Sequence, residues 1–203
     1  MRRIAGGVLL LAWALGAYAS DPRREVGRVQ GVPVYADQIA GDTPQARADE
    51  ARRLFMAPIL QSWMRAHAQT ARPTPAQRAD IEAAIKRYAD CSGSGYQLPE
   101  DPVQRVMVVD MLAGNIALQR RLYDEFGGGR LLFQQAGVEA FDAARVMLER
   151  TESEGHLTFN DREIRASAYD YWTRDHGAFM ITEPAKIAEA LDVTSMIARC
   201  PTT

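Results

Sequence analysis

Apolar residues recur every three or four positions along most of the chain after residue 43, a spacing typical of amphipathic helices. Several of these segments begin with a side chain suited to an N-cap, and most of those caps precede a proline. Pro58 lies inside the first segment and should kink that helix, because its ring removes a backbone hydrogen bond. The predicted helices span about 43–69, 74–90, 101–125, 136–148, 160–176 and 183–191.

Three short segments have extended rather than helical patterns. Residues 26–34 predict a strand interrupted at Gly31-Val32-Pro33, and residues 155–159 predict a second extended piece. Residues 130–135 fit either a brief strand or an extended connector. No repeat and no long linker divides the chain. We therefore predict a single all-α domain with minor β structure over residues 20–203.

The first nineteen residues have the three parts of a secretory signal peptide. Arg2 and Arg3 form a basic start, residues 4–16 are apolar, and Ala17-Tyr18-Ala19 has the small-x-small pattern of a cleavage site. An uncleaved membrane anchor is the alternative, although the apolar run is shorter than the roughly 20 residues of a membrane span. We predict cleavage after Ala19, localisation in the periplasm and no stable membrane insertion of the remaining chain.

Composition and charge exclude several classes of protein. The formal net charge is −2, and without Arg2 and Arg3 the chain holds 22 basic against 26 acidic side chains. This balance lacks the basic excess that a general nucleic-acid binder needs, so no nucleic-acid partner is expected. The 47% hydrophobic content is enough to form a core and excludes a wholly disordered chain.

Export changes how the two cysteines are interpreted. Cys91 and Cys200 lie 109 residues apart and match no zinc or CxxC motif. In an oxidising compartment they can form a disulfide that fastens the end of the chain to the middle. One buried thiol and one thiol in the tail is the alternative.

No motif of catalysis or metal binding is present in the sequence. The three histidines (His67, His156 and His176) belong to no HExxH or other close metal spacing. There is no GxSxG nucleophile motif, and neither cysteine has a protease context. We therefore expect no metal, no cofactor and no catalytic residue.

A glycine triplet is the best local indication of a binding site. It follows a predicted helix, where glycines can form a C-cap, and it lacks the residues of a phosphate-binding loop. A flexible helix stop is the simple interpretation. The alternative is a ligand pocket in which arginine, glutamine and histidine side chains converge on an anionic or polar ligand. The candidate residues are Gly127, Gly128, Gly129, Arg130, Gln134, Gln135 and His176.

The run Val26-Gly27-Arg28-Val29-Gln30-Gly31-Val32-Pro33-Val34 resembles the start of the amino-terminal chaperone module of SurA-type and other exported parvulin-like foldases. That family usually has asparagine where this chain has Gln30. The resemblance covers about residues 26–88, and a looser likeness extends over 161–179. The chain after Phe179 is too short for an isomerase domain and lacks its glycine-rich signature.

The resemblance implies a compact helical domain that binds extended apolar segments of unfolded or envelope client proteins, without prolyl isomerase activity. Methionines on the helices would supply adaptable contacts, although such residues are also ordinary core components. The second hypothesis is a small exported enzyme or ligand-binding protein with its site at residues 127–135. For the first hypothesis, the candidate groove residues are Phe55, Ile59, Trp63 and Trp172.

Overall fold

The computed structural model describes residues 23–92, 97–134 and 137–197, so the predicted signal segment 1–19 lies outside the described residues. The described chain is mostly helical with two small antiparallel sheets, which confirms the prediction of a mostly α fold with minor β structure. The strands are β1 (Glu25–Val29), β2 (Val32–Tyr35), β3 (Leu131–Gln134), β4 (Gly137–Glu139), β5 (Leu157–Phe159) and β6 (Met180–Ile181). The helices are α1 (Pro44–Phe55), α2 (Ala57–His67), α3 (Pro75–Ser92), α4 (Pro102–Glu125), α5 (Phe141–Ser153), α6 (Arg162–Thr173), α7 (Pro184–Ala190) and α8 (Val193–Ile197).

Strands β1 and β2 form a hairpin with a two-residue turn at Gln30-Gly31. Both turn residues have positive φ, +50° and +82°, as a type I′ turn requires. Strand β5 pairs with the other edge of β1, which gives the sheet order β2-β1-β5. The sequence predicted one interrupted strand over 26–34. It forms two strands instead, because the chain reverses at Gln30-Gly31. Of the predicted break, only Gly31 lies in the turn, whereas Val32 and Pro33 belong to β2.

The first predicted helix is two helices, α1 and α2, separated at Met56. The Thr43 hydroxyl caps α1 by accepting from the Ala46 N–H at 3.1 Å, as the sequence predicted. Pro58 lies in the first turn of α2, where its missing N–H leaves no helical hydrogen bond unmade. The interruption lies at Met56, two residues before Pro58, and Met56 itself keeps a right-handed helical backbone (φ −95°, ψ −41°). The predicted segment is therefore helical on both sides of a break close to the proline, where a kink was predicted.

The second sheet has the order β4-β3-β6 and follows the glycine triplet. Residues 131–134 form β3, which resolves the alternatives left open for this segment. Residues 137–139 were predicted as the first turn of a helix, but they form β4, and α5 begins at Phe141. Pairing explains the difference, because Gln134 lies opposite Gly137 and Leu132 lies opposite Glu139 in the β3–β4 ladder.

The main hydrophobic core joins both sheets to α1, α2, α5 and α6. A second, smaller cluster lies between α3 and α4 and includes Val193 of α8, a helix that the sequence did not predict. No helix of the described residues has both the length and the apolar composition that crossing a membrane requires. The largest fully buried side chains of the main core include Phe55, Phe141, Met56, Leu122 and Leu148.

Candidate functional site

An open cleft of about 890 Å³ lies among α1, α2, α4, β4 and α6. Helix α2 gives it an apolar surface made of Ala57, Leu60 and Met64. Polar side chains from the other elements line the remainder, namely Gln119 of α4, Gln134 of β3, Glu139 of β4 and Tyr171 of α6. An apolar cavity with a few fixed polar groups is the usual form of a binding site in proteins.

The Glu139 carboxylate is the centre of the polar surface. Its Oε2 atom accepts hydrogen bonds from the Tyr171 hydroxyl at 2.6 Å and from the Gln134 amide at 2.7 Å. Its Oε1 atom accepts from the Trp172 indole N–H at 3.2 Å. The Gln134 amide also donates to the Tyr171 hydroxyl at 2.6 Å, which closes the network. All of these donors are neutral groups.

Tyr171 is held as a neutral phenol in this network. Burial raises the pKa of Tyr171, and its hydrogen bond to the negatively charged Glu139 raises it further. The guanidinium of Arg52 lies over the Tyr171 ring, 4.6 Å from its centroid, in a cation–π contact. Tyr171 is therefore a hydrogen-bond donor to Glu139 throughout the neutral pH range.

Gln119 supplies a second fixed polar group. It is 5% exposed, the one buried polar side chain recorded among the described residues. Its Oε1 atom accepts from the Ala140 backbone N–H at 2.8 Å, and this bond fixes the orientation of the amide. The opposite Nε2 atom has no hydrogen-bond partner within the described part of the chain. Gln119 is one of the residues that line the cleft.

The rim of the cleft carries two acidic and two basic side chains from α1. Arg52 pairs with Asp49 at 3.2 Å, and the Arg53 guanidinium donates to Glu50 at 2.8 Å. Both pairs join residues three apart on one helix, which is the spacing at which helical side chains meet. Within each pair the two charges offset each other. Glu139 is therefore the charged residue of the cleft that has no ion-pair partner among the described residues.

The structure places the predicted ligand residues in two connected groups. Gln134 belongs to the Glu139 network, and His176 lies beside it, where its Nε2 atom donates to the Tyr171 carbonyl oxygen at 2.8 Å. Arg130 instead pairs with Asp142, through two guanidinium hydrogen bonds of 2.9 Å each. The Phe141 ring lies between the groups, 5.2 Å from His176 and 5.5 Å from the Arg130 guanidinium. Gln135 lies outside the described residues.

The glycine triplet follows α4 and packs closely against the start of α5. Gly127, Gly128 and Gly129 all have positive φ, between +77° and +103°. A Cβ atom added at Gly129 would lie 2.6 Å from the Cβ of Asp142, so the close approach of these two segments requires glycine there. The triplet is not among the residues that line the cleft.

The predicted groove residues are distributed between the core and a second cavity. Phe55, Ile59 and Trp172 are 0%, 5% and 2% exposed and pack in the main core, although Trp172 also reaches the cleft. Trp63 lines a cavity of about 460 Å³ on another side of α2, together with Ile59. Its indole N–H is enclosed and has no partner in the described chain.

Cys91 lies in the last turn of α3, and Cys200 lies outside the described residues, so their pairing stays a prediction. Over residues 23–92, 97–134 and 137–197, no group of three or more His, Cys, Asp or Glu side chains is arranged to hold a metal ion.

Sequence reasoning missed Gln119, Glu139 and Tyr171. One signal was available for Gln119, since it lies three residues after Ile116 and three before Leu122, on a stripe that is otherwise apolar. A polar residue on a buried stripe indicates a specific hydrogen bond. No comparable signal marks Glu139, whose partners come from residues 134, 171 and 172.

Comparisons with protein-family models, with curated proteins and with solved structures found no match for this chain.

Proposed function

We propose that this protein is an exported, chaperone-like binding protein that holds an extended, mostly apolar segment of a client chain in the cleft. The proposal keeps the client-binding function of the first hypothesis, but it places the client in the cleft instead of a groove formed by Phe55, Ile59, Trp63 and Trp172. Phe55 and Ile59 are too deeply buried to contact a client, whereas the cleft beside α2 and α4 is open. The expected clients are unfolded proteins of the cell envelope.

The shape and surface of the cleft support a chain segment as its occupant. Ala57, Leu60 and Met64 offer an apolar surface of small and flexible side chains, and methionine adapts to partners of different shape. Apolar surface also continues beyond the cleft along α4. Met111, one turn before the cleft residue Asn115, is 66% exposed, and Met107 is 65% exposed. A segment longer than the cleft would have further apolar contacts there.

The observation that carries the proposal is the amide of Gln119. Gln119 lines the cleft, and its N–H groups have no partner among the described residues. Such an amide suits a hydrogen-bond acceptor from a ligand, since unpaired donors in partly buried sites are costly. Every residue of an extended peptide presents a backbone carbonyl oxygen, whatever its side chain. Gln119 can therefore hold segments of many sequences, which is what a chaperone requires.

The test compares two tryptophan substitutions on α2. Ala57→Trp should fill part of the cleft, while Ala66→Trp places the same side chain on the exposed side of the same helix. We expect the unaltered protein and Ala66→Trp to suppress aggregation of an unfolded outer-membrane protein at near-stoichiometric ratio. Ala57→Trp should lose most of that effect while keeping the helical circular-dichroism spectrum. Equal suppression by both variants, or none by the unaltered protein, would contradict the proposal.

A further inference from the structure

We propose that the cleft prefers client segments in which a basic side chain interrupts an apolar stretch, and that Glu139 is the residue that recognises the basic group. This inference rests on the proposed function, and it names the chemistry of the segment that the cleft selects.

Glu139 carries a negative charge that the described residues do not neutralise. Its hydrogen bonds come from a phenol, an amide and an indole, and no Arg, Lys or His nitrogen of the described residues lies within ion-pair distance. Neutral donors stabilise a carboxylate but leave its net charge in place. A cation that enters the cleft would therefore gain a favourable interaction in surroundings less polar than water.

The other charged groups of the cleft do not compete for that role. The two guanidiniums at the rim, Arg52 and Arg53, are paired with Asp49 and Glu50 on their own helix. The cleft thus contains three carboxylates against two guanidiniums, and the unpaired one is Glu139, next to the cavity. An acidic client side chain would meet this charge with repulsion, which adds selectivity against such segments.

Gln119 lies close to Glu139 in the fold. Gln119 accepts from the backbone of Ala140, the residue that follows Glu139. A client segment can thus place a backbone carbonyl oxygen at the Gln119 amide and a nearby basic side chain at Glu139. The methylene groups of a lysine or arginine side chain suit the apolar surface of Leu60 and Met64.

The test uses three acetylated and amidated nine-residue peptides of valine, leucine and glycine that differ at the central position: lysine, acetyl-lysine or glutamate. Binding is measured by fluorescence anisotropy in 50 mM and 500 mM salt. We expect the lysine peptide to bind about fivefold tighter than the acetyl-lysine peptide at low salt, as one partly exposed charge pair would give. The glutamate peptide should bind most weakly, and the differences should shrink at high salt.

Glu139→Gln should remove the preference for lysine, whereas Glu100→Gln, which changes an exposed carboxylate before α4, should keep it. If Glu139→Gln fails to fold, the three peptides still show with the unaltered protein whether the cleft prefers a basic side chain. Equal binding of the lysine and acetyl-lysine peptides would overturn this inference while leaving the proposed function intact. Absence of binding by all three peptides, together with no effect of Ala57→Trp on aggregation, would overturn the proposed function itself.

Discussion

Asp142 links the loop after α4 to the first turn of α5. Its carboxylate accepts a hydrogen bond from the Arg130 backbone N–H at 2.8 Å and two more from the Nε and Nη2 atoms of the Arg130 guanidinium. Burial raises the pKa of Asp142, but the hydrogen bonds from Arg130 outweigh burial and leave the pKa below its ordinary value. A carboxyl group whose pKa is lower in the folded than in the unfolded protein stabilises the fold above the unfolded pKa. That contribution is lost as the pH falls through the folded pKa.

We predict that Asp142→Asn lowers the free energy of unfolding at pH 7 by about 1–2 kcal/mol, because the charge-assisted hydrogen bonds are lost in a partly exposed site. The cost should shrink as the pH falls below about 4, where the carboxyl group of the unfolded chain is protonated. Urea unfolding at pH 7, 5 and 3 measures both effects. Asp124→Asn, at an exposed carboxylate on α4, is the control and should leave the pH dependence unchanged. A constant difference between Asp142→Asn and the unaltered protein over this range would contradict the prediction.

Single residues were predicted from sequence only where their role is local. The Thr43 cap involves a residue three positions away, so the sequence alone identified it. Arg130 was a candidate for ligand binding, and the sequence could not show that Asp142, in another element, is its partner. The same holds for Glu139, since its partner Tyr171 is 32 residues distant and the contact exists only in the folded chain.

At the scale of elements, the helices were predicted better than the strands. A helix satisfies its hydrogen bonds within one segment, so spacing and caps predict where it begins. Strand β1 instead depends on a partner far along the chain, since Gly27 pairs with Phe159 of β5. Short segments such as β4 lack a periodic pattern long enough to distinguish a strand from a helix start.

The turn of the β1–β2 hairpin provides a test at this scale. Gln30 has a φ of +50°, a left-handed conformation that asparagine adopts at lower cost than glutamine. We predict that Gln30→Asn raises the free energy of unfolding by about 0.5 kcal/mol, because Asn-Gly is the preferred pair in a type I′ turn. Urea unfolding at pH 7 measures the change. Gln69→Asn, at an exposed position after α2, should give no such gain. A loss of stability in Gln30→Asn would show that its side chain makes contacts that outweigh the turn geometry.

At the scale of the whole molecule, stability is distributed unevenly. The main core unites both sheets with α1, α2, α5 and α6, whereas only Ile81, Ile85, Val109 and Ala113 form the buried part of the second cluster. Regions with few buried apolar contacts open more readily than the rest of a protein. Helices α3 and α8 should therefore exchange their amide hydrogens faster than α5 and α6. The cleft borders the main core, so its shape should not depend on the smaller cluster.

The predicted disulfide would reinforce this weaker part of the molecule. Cys91 lies in the last turn of α3, and Cys200 comes after α8 in the sequence. Val193 of α8 packs against the second cluster. A bond between these cysteines would restrict the unfolded chain and hold the two helices together. Mass spectrometry of unreduced proteolytic fragments should find the two cysteines linked in protein isolated from an oxidising compartment.

Reduction should accelerate hydrogen exchange in α3 and α8 and leave hydrogen exchange in α5 and α6 unchanged. Cys91→Ser should behave like the reduced protein. Exchange in α3 that is identical before and after reduction would rule out a stabilising role for the bond, and exchange that rises equally in α6 would show that the two clusters unfold as one.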